Sequence, residues 1–365
     1  MRSIAPDHAC IRYVGRVDFS NSQMPSFSFP GVNIRIRFRG RTLQALLYDN
    51  APTNDDSQAN WFAVVVDGEM TRRLKICRDN HMYCLAEHLS DAVHEVMLFK
   101  QSESGTCAAP NVGKVTFGGF MVDDDATLLE PASRSLRMEF VGGSITCGYG
   151  NRISTFRPGN YSPSTEMSDA FMAYGAIAAR MLNAEYVAVA YSGRGVVRNS
   201  GDVNALTIPD MYLKTLPDDP SGSSWNPDGY IPDIVVVNLG TNDFSRGMTS
   251  GRAQDALEQR FVQRYQAFLH NMMQYYPRAR FVLVMGPMLS NRYFSGCNVR
   301  KMVRRCLRKI VDASNQSGGR RVSWLEMSPQ QPPYGVDYHP TISTHTRMAR
   351  RLALFIRIAQ RLLWD

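Results

Sequence analysis

The chain has no apolar run long enough to cross a bilayer. Its longest, such as Phe62–Val66 and Ile234–Val237, span four or five residues, where a membrane helix needs about 20. It has no CxxC pair and no zinc-type Cys/His spacing, although seven cysteines are present (Cys10, Cys77, Cys84, Cys107, Cys147, Cys297, Cys306), so no metal site is expected. An odd count excludes complete pairing. Cys77 and Cys84 are spaced to pair across a hairpin, and the other thiols read as packing residues. No internal repeat or low-complexity segment is present. The stretch Met1 to His8 contains no apolar segment of the signal-peptide kind, which points to a cytosolic protein or to a chain given without its leader. With 44% hydrophobic and 20% charged residues, the composition is globular and excludes disorder, collagen or coiled coil as the main architecture. The 365 residues suggest two domains.

The net charge of +8 is unevenly placed. From Arg300 to the end, thirteen Lys or Arg face only Asp312, Glu326, Asp337 and Asp365. Solvated helix faces explain such a region. The alternative is weak binding of an acidic polymer or a membrane surface.

The chain changes character near residue 130. Before it, Val32–Phe38 alternates apolar and polar residues, Trp61–Val66 runs into an Asp67-Gly68 turn, and His94–Lys100 and Gly113–Phe120 read as further strands. Many short strands with such punctuation predict an antiparallel jelly-roll sandwich over 1–130. After it, strand-like runs at Met138–Val141, Tyr186–Ala190, Ile234–Leu239, Phe281–Met285 and Val322–Leu325 alternate with helical spacing at Ser168–Leu182, Ala253–Tyr276, Val299–Ser314 and His345–Leu363. This predicts a five-stranded parallel sheet with helices on both faces over 131–365.

In such sheets the chemistry lies beyond the carboxyl ends of the strands. After the first strand comes Gly142-Gly143-Ser144, a serine on a strand-exit turn, without the GxSxG elbow because Thr146 takes the last glycine position. After the second comes Ser192-Gly193-Arg194-Gly195, whose glycines leave backbone N–H groups open to an anion. After the third comes Gly240-Thr241-Asn242-Asp243, whose Asn amide can donate to an oxyanion or cap a turn. After the last comes Asp337-Tyr338-His339-Pro340, a potential base with a carboxylate two residues before it. Singly, each reads as an ordinary turn. Together they place a nucleophile, two donors and a base at one sheet edge, which is what acyl transfer requires.

These blocks resemble the SGNH (GDSL-type) hydrolases, and more closely carbohydrate esterase family 2. The closer resemblance also takes in Gly15-Arg16-Val17-Asp18-Phe19, Pro30-Gly31, Val66-Asp67-Gly68, Ser144 to Gly150 and the Asp-x-His spacing of Asp337 and His339. The resemblance implies a jelly-roll domain followed by an SGNH hydrolase domain. It also implies a cofactor-free serine esterase that removes acetyl groups from plant-type polysaccharides such as mannan or xylan, often at a hexose 6-hydroxyl. Carried over, Ser144 is the nucleophile, His339 the base and Asp337 its orienter. The oxyanion hole is the Ser144 and Gly193 N–H groups with the Asn242 amide, Gly195 competing for the Gly193 role. The family block has Gly-Asp-Ser, and Gly143 here replaces that Asp, which is expected to loosen local support. Sugar O-acetyl transfer by the same residues, and carbohydrate binding by an impaired site, are the alternative functions. A lipid esterase is disfavoured because no apolar lid-like segment is present. Family analogy implies export.

For substrate contacts, the polar segment between Ile145 and Ser164 offers Arg152, Phe156, Asn160 and Tyr161. Met285 to Met288, with Tyr293 and Phe294 beyond, offers a second wall, and Tyr338 a third contact. The expected partner is an acetylated carbohydrate, with no nucleic acid and no membrane insertion.

Overall fold

Alternation in Asn33–Arg39 sends Ile34, Ile36 and Phe38 inward, and all three are buried. Arg35, which alternation would send to solvent, is buried as well, its Nε donating to Asn33 Oδ1 at 3.0 Å. A buried guanidinium needs such a partner. At the Asp67-Gly68 turn both residues have positive φ, 53° and 89°, which is the hand that a two-residue hairpin needs. Trp61–Val66 accordingly folds back on Glu69–Lys75.

The computed structural model describes residues 1–51, 56–105, 112–157, 161, 164–201, 205–245, 251–291, 297–316, 321–362 and 364. Two compact units emerge. The first comprises Met1–Arg134 together with Ser162–Phe171 and Lys214–Trp225. It is built on two six-stranded antiparallel sheets. One runs Val17–Asp18, Ser26–Phe27, Val115–Val122, Leu43–Asp49, Met82–Ala86, with Arg2–Ile4 also on Val115–Val122. The other runs Thr127–Leu129, Asn33–Arg39, Val93–Lys100, Trp61–Val66, Glu69–Lys75, with Ile11–Val14 also on Asn33–Arg39. The two segments from later in the chain belong to this unit through bonds such as Gln101 Nε2 to Asp169 Oδ1 (2.8 Å) and Lys114 Nζ to Asp219 Oδ2 (2.6 Å). Cys77 and Cys84, whose spacing would allow a hairpin disulfide, are free thiols. The Cys77 N–H instead donates to the Tyr83 hydroxyl at 2.8 Å.

The second unit, Ser135–Tyr161, Met172–Leu213 and Asn226–Asp365, holds a five-stranded sheet whose paired strands all run parallel. The spatial order is Ala184–Ala190, Leu136–Gly142, Ile234–Asn238, Arg280–Met285, Val322–Glu326. The direction in which successive strands are added therefore reverses at Leu136–Gly142, the switch point at which doubly wound sheets open a crevice. Ala184–Ala190 and Ile234–Asn238 are buried along their whole length, so their runs are continuous rather than alternating.

Tyr174–Met181, Arg252–Tyr275, Val299–Asn315 and Ile342–Leu362 are the longer helices. The first begins later than its spacing suggests, because Ala170–Met172 forms a separate 3-10 turn. Arg252–Tyr275 buries Phe261, Tyr265, Phe268, Leu269 and Met272 on one stripe and stops before Pro277, which cannot continue it. Much of the basic charge on Val299–Asn315 is used inside this unit. Arg300 and Arg304 pair with Glu326, Arg305 pairs with Glu258, and Arg308 lies over the Trp324 ring at 5.4 Å. No described helix is long and apolar enough to cross a membrane.

Candidate active site

Ser144 opens a single helical turn, Ser144–Cys147, at the carboxyl end of the strand Leu136–Gly142. Gly148, at φ 78°, ends that turn, and glycine reaches this region without strain. The serine is only 8% exposed. His339 enters from the opposite end of the unit, and its Nε2 lies 2.8 Å from Ser144 Oγ.

Backbone bonds hold these two distant residues together. The Val336 N–H donates to the Gly150 carbonyl (3.1 Å), Tyr334 and Thr155 exchange two bonds (2.8 and 2.9 Å), and the Ile342 N–H donates to the Asn151 carbonyl (3.0 Å). The approach is close enough that a Cβ on Gly150 would lie 2.5 Å from Val336 Cβ.

The other imidazole nitrogen, Nδ1, faces the Val336 carbonyl at 3.0 Å. The Asp337 carboxylate, expected there, instead accepts from the Tyr149 hydroxyl at 2.9 Å. The expectation assumed an extended Asp337–His339 segment, in which alternate side chains share a side. The segment is in fact a tight turn, closed by the His339 N–H donating to the Val336 carbonyl at 2.9 Å, with Asp337 and Tyr338 at positive φ, 49° and 60°. Curling brings the carbonyl three residues back onto the ring and turns the carboxylate away. The Nδ1–H tautomer that the Val336 carbonyl selects leaves the Nε2 lone pair for Ser144. Burial pushes the His339 pKa below its usual value, while the Val336 carbonyl and the Asp337 charge act the other way.

The donor side is built from two loops. Gly193, at φ 78°, has no acceptor for its N–H among the described residues, and neither does Ser144. The Gly195 N–H is already given to Asn199 Oδ1 at 3.1 Å, so of the two glycines only Gly193 has a free donor. The Asn242 Nδ2 amide donates one hydrogen to the Arg194 carbonyl at 2.7 Å, leaving its second hydrogen to donate elsewhere. A Cβ on Gly143 would come 2.9 Å from that Nδ2 and 3.4 Å from the Arg194 oxygen, which locates the amide directly over the residue before Ser144. The Gly193 loop is braced by Asp243, fully buried, whose carboxylate accepts from the N–H groups of Val196 (3.0 Å), Val197 (2.8 Å) and Arg198 (3.1 Å). Burial pushes its pKa up and these donors pull it down.

Three residues of this arrangement are not singled out by the sequence reading: Val336, Tyr149 and Asp243. The last follows Asn242 directly, and a carboxylate at a strand exit inside an α/β unit signals a need for backbone donors. Of the substrate candidates, Tyr338 is 49% exposed with its ring 5.5 Å from Tyr334, Tyr161 is half-buried and Phe156 is exposed. Asn160, Tyr293 and Phe294 lie outside the described residues. Gln330 Nε2 donates to the Tyr338 carbonyl. It also lines a cavity of about 470 Å³ with Met288, Ser290, Asn291, Gln331 and Tyr334. No cluster of His, Cys, Asp or Glu among the described residues is placed to hold a metal ion.

Comparison with known proteins places this arrangement in a family. Residues 13–131 match the description "Carbohydrate esterase 2 N-terminal", and residues 140–347 match "GDSL-like Lipase/Acylhydrolase family". A solved family two carbohydrate esterase from Clostridium thermocellum, in complex with cellohexaose, is 32% identical with a TM-score of 0.82, over 97% of this chain and 100% of that one. A cellulase/esterase of Acetivibrio thermocellus is 33% identical over 96% of this chain, which spans 40% of that relative's length. An acetylxylan esterase / glucomannan deacetylase of Cellvibrio japonicus is 26% identical over 97% of this chain and 90% of its own. The chain belongs to carbohydrate esterase family 2, within the GDSL-like carboxylic ester hydrolases.

Proposed function

We propose that the protein removes O-acetyl groups from neutral plant-type polysaccharide of the xylan or glucomannan kind, with hexose 6-O-acetyl esters as preferred sites, through an acetyl-enzyme on Ser144. The observation that carries this reading is the 2.8 Å approach of His339 Nε2 to Ser144 Oγ, with Nδ1 engaged by a carbonyl. His339 takes the hydroxyl proton as Ser144 Oγ attacks the acetyl carbonyl. The tetrahedral oxyanion is met by the Ser144 and Gly193 N–H groups and the free Asn242 amide hydrogen. The C–O bond to the sugar breaks, and the sugar alkoxide leaves with the proton from His339. Water, deprotonated by His339, then releases acetate and restores the serine. In this scheme the orienter of the base is the Val336 carbonyl rather than a carboxylate.

The cavity beside the His339 turn supports a neutral glycan. Its rim is amide and hydroxyl groups, with Met288, Pro287, Pro329 and the Tyr334 ring for the apolar faces of sugars. Among the described residues its one charged lining side chain, Arg300, is satisfied by Glu326 and the carbonyls of Leu289 and Met327. An acidic polymer is left the arginines of Ile342–Leu362, a helix without Asp or Glu. Acetate release from acetylated glucomannan, xylan and cellulose, measured side by side with Ser144→Ala as control, tests the reading. Loss of the nucleophile should cost on the order of 10⁶ in rate. Retention of a tenth of the activity by Ser144→Ala would overturn it.

A further inference from the structure

We infer that Tyr149 is a positioning residue for His339, acting through its ring on the imidazole and through its hydroxyl on Asp337. The inference rests on the esterase reading above and deepens it.

Tyr149 stands between two glycines of positive φ, Gly148 and Gly150, just past the helical turn that carries Ser144. Its N–H donates to the Ser144 carbonyl at 3.1 Å, so its backbone is tied to the nucleophile. Its ring meets the His339 ring edge-on, with centroids 4.7 Å apart at 65°. Its hydroxyl donates to Asp337 Oδ2 at 2.9 Å. These contacts close a circuit: Ser144 to Tyr149 through the backbone, Tyr149 to Asp337 through the hydroxyl, Asp337 to His339 along the turn, and His339 back to Ser144 at 2.8 Å.

The circuit is needed because of how the base is held. A carbonyl acceptor on Nδ1 holds that ring atom without a charge, so packing against the ring must help to keep Nε2 aimed at Ser144. The Tyr149 ring packs against the imidazole and restricts its tilt. Two consecutive residues at positive φ, one of them a bulky tyrosine, are costly and persist only when surrounding structure over-determines them. The hydroxyl bond to Asp337 is one such determinant, and it spans the two loops that carry the reacting groups. Asp337 thereby acquires two separable roles: an anchor for Tyr149, and a negative charge that favours the imidazolium formed during the reaction. His345, which is electrostatically coupled to His339, is buried and held neutral, its pKa pushed down to about 3.

The two roles separate by experiment on a small aryl acetate, which needs no sugar contacts. Tyr149→Phe keeps the ring and loses the anchor. It should lower kcat about 5- to 30-fold with KM nearly unchanged. It should leave the acid limb of the pH profile in place, because Asp337 keeps its charge. Tyr149→Leu removes the edge contact as well and should lower kcat about 10²-fold. Asp337→Asn should lower kcat and move the acid limb to lower pH, since the carboxylate that raises the His339 pKa is gone. The double variant Tyr149→Phe/Asp337→Ala should be no slower than Asp337→Ala alone, because both cut the same bond. Labelling of Ser144 by a fluorophosphonate, and the melting temperature, separate a detuned site from an unfolded one. Losses that multiply in the double variant, effects confined to KM, or full kcat in both Tyr149 variants would overturn the positioning role. A wild-type protein that fails to hydrolyse the aryl acetate would instead overturn the esterase reading itself.

Discussion

Gly143→Ala tests how the missing side chain before Ser144 shapes the proposed oxyanion hole. The added methyl would lie 2.9 Å from Asn242 Nδ2 and 3.4 Å from the Arg194 carbonyl oxygen. Ordinary contact needs about 3.4 Å or more, so one or both partners must retreat by about half an ångström. The strand exit is rigid, because the Thr146 and Cys147 N–H groups both donate to the Gly143 carbonyl. The retreat therefore falls on the Asn242 amide, which either breaks its 2.7 Å bond to Arg194 or drags the Gly193 loop with it. Complete loss of one preorganised oxyanion donor costs about 10² to 10³ in kcat. A donor displaced by half an ångström keeps part of its effect, so Gly143→Ala should lose about 10- to 100-fold in kcat with KM within twofold. Steady-state kinetics on an aryl acetate, run beside Asn242→Ala, decides the matter. An unchanged kcat, or a change carried by KM, would refute the placement of the amide over Gly143. A loss as large as that of Asn242→Ala would show that the Arg194 bond holds the whole donor.

Asp243→Ala leaves three N–H groups of Val196, Val197 and Arg198 without their acceptor, and should destabilise the protein by about 3–5 kcal/mol while lowering kcat; a melting temperature shifted by less than about 2 °C would contradict that. His345, buried with Nδ1 accepting from the Tyr174 N–H at 3.1 Å, has its pKa depressed to about 3. A depressed folded pKa means stability that is full above the unfolded value and lost as pH falls, here by about 1.4 kcal/mol per unit below about 6.5. Unfolding free energies from pH 7 to 4.5 should therefore fall less steeply in His345→Gln than in the wild type; equal slopes would argue against a neutral buried imidazole.

Where a function depends on the end of a strand, residue type and order make it legible: the strand pattern brings Ser144, Asn242 and His339 to one sheet edge as candidates, and the family resemblance implies their roles. Local backbone shape is harder to read. Asp337 and His339 look like an i, i+2 pair in extended structure, and nothing about Tyr338 announces positive φ, a region that bulky residues rarely enter. The flanking Gly335 and Pro340 were the available hint of a tight turn. A carbonyl acceptor such as Val336 O leaves no trace in residue type at all. Choosing between Gly193 and Gly195 needed to know that Asn199 takes the Gly195 N–H. The basic C-terminal region illustrates the opposite case: its charge is plain in the sequence, but its partners, Glu258 and Glu326, are remote in the chain and become visible only when the helix docks.

The backbone zipper joining Gly150 and Thr155 to Val336 and Tyr334 has a consequence for how activity is gained and lost. Ser144 and His339 are 195 positions apart, and a pairing of that separation closes late because its chain entropy must be met first. The sandwich and most of the parallel sheet can be in place before the terminal segment docks, yet the Ser144–His339 contact cannot form until it does. Recovery of acetate release during refolding should therefore trail the return of secondary structure. Conversely, gentle heating that peels the terminal helix from its neighbours should abolish turnover before the sheet melts. On the proposed mechanism, catalysis in this chain would thus be a readout of completed folding.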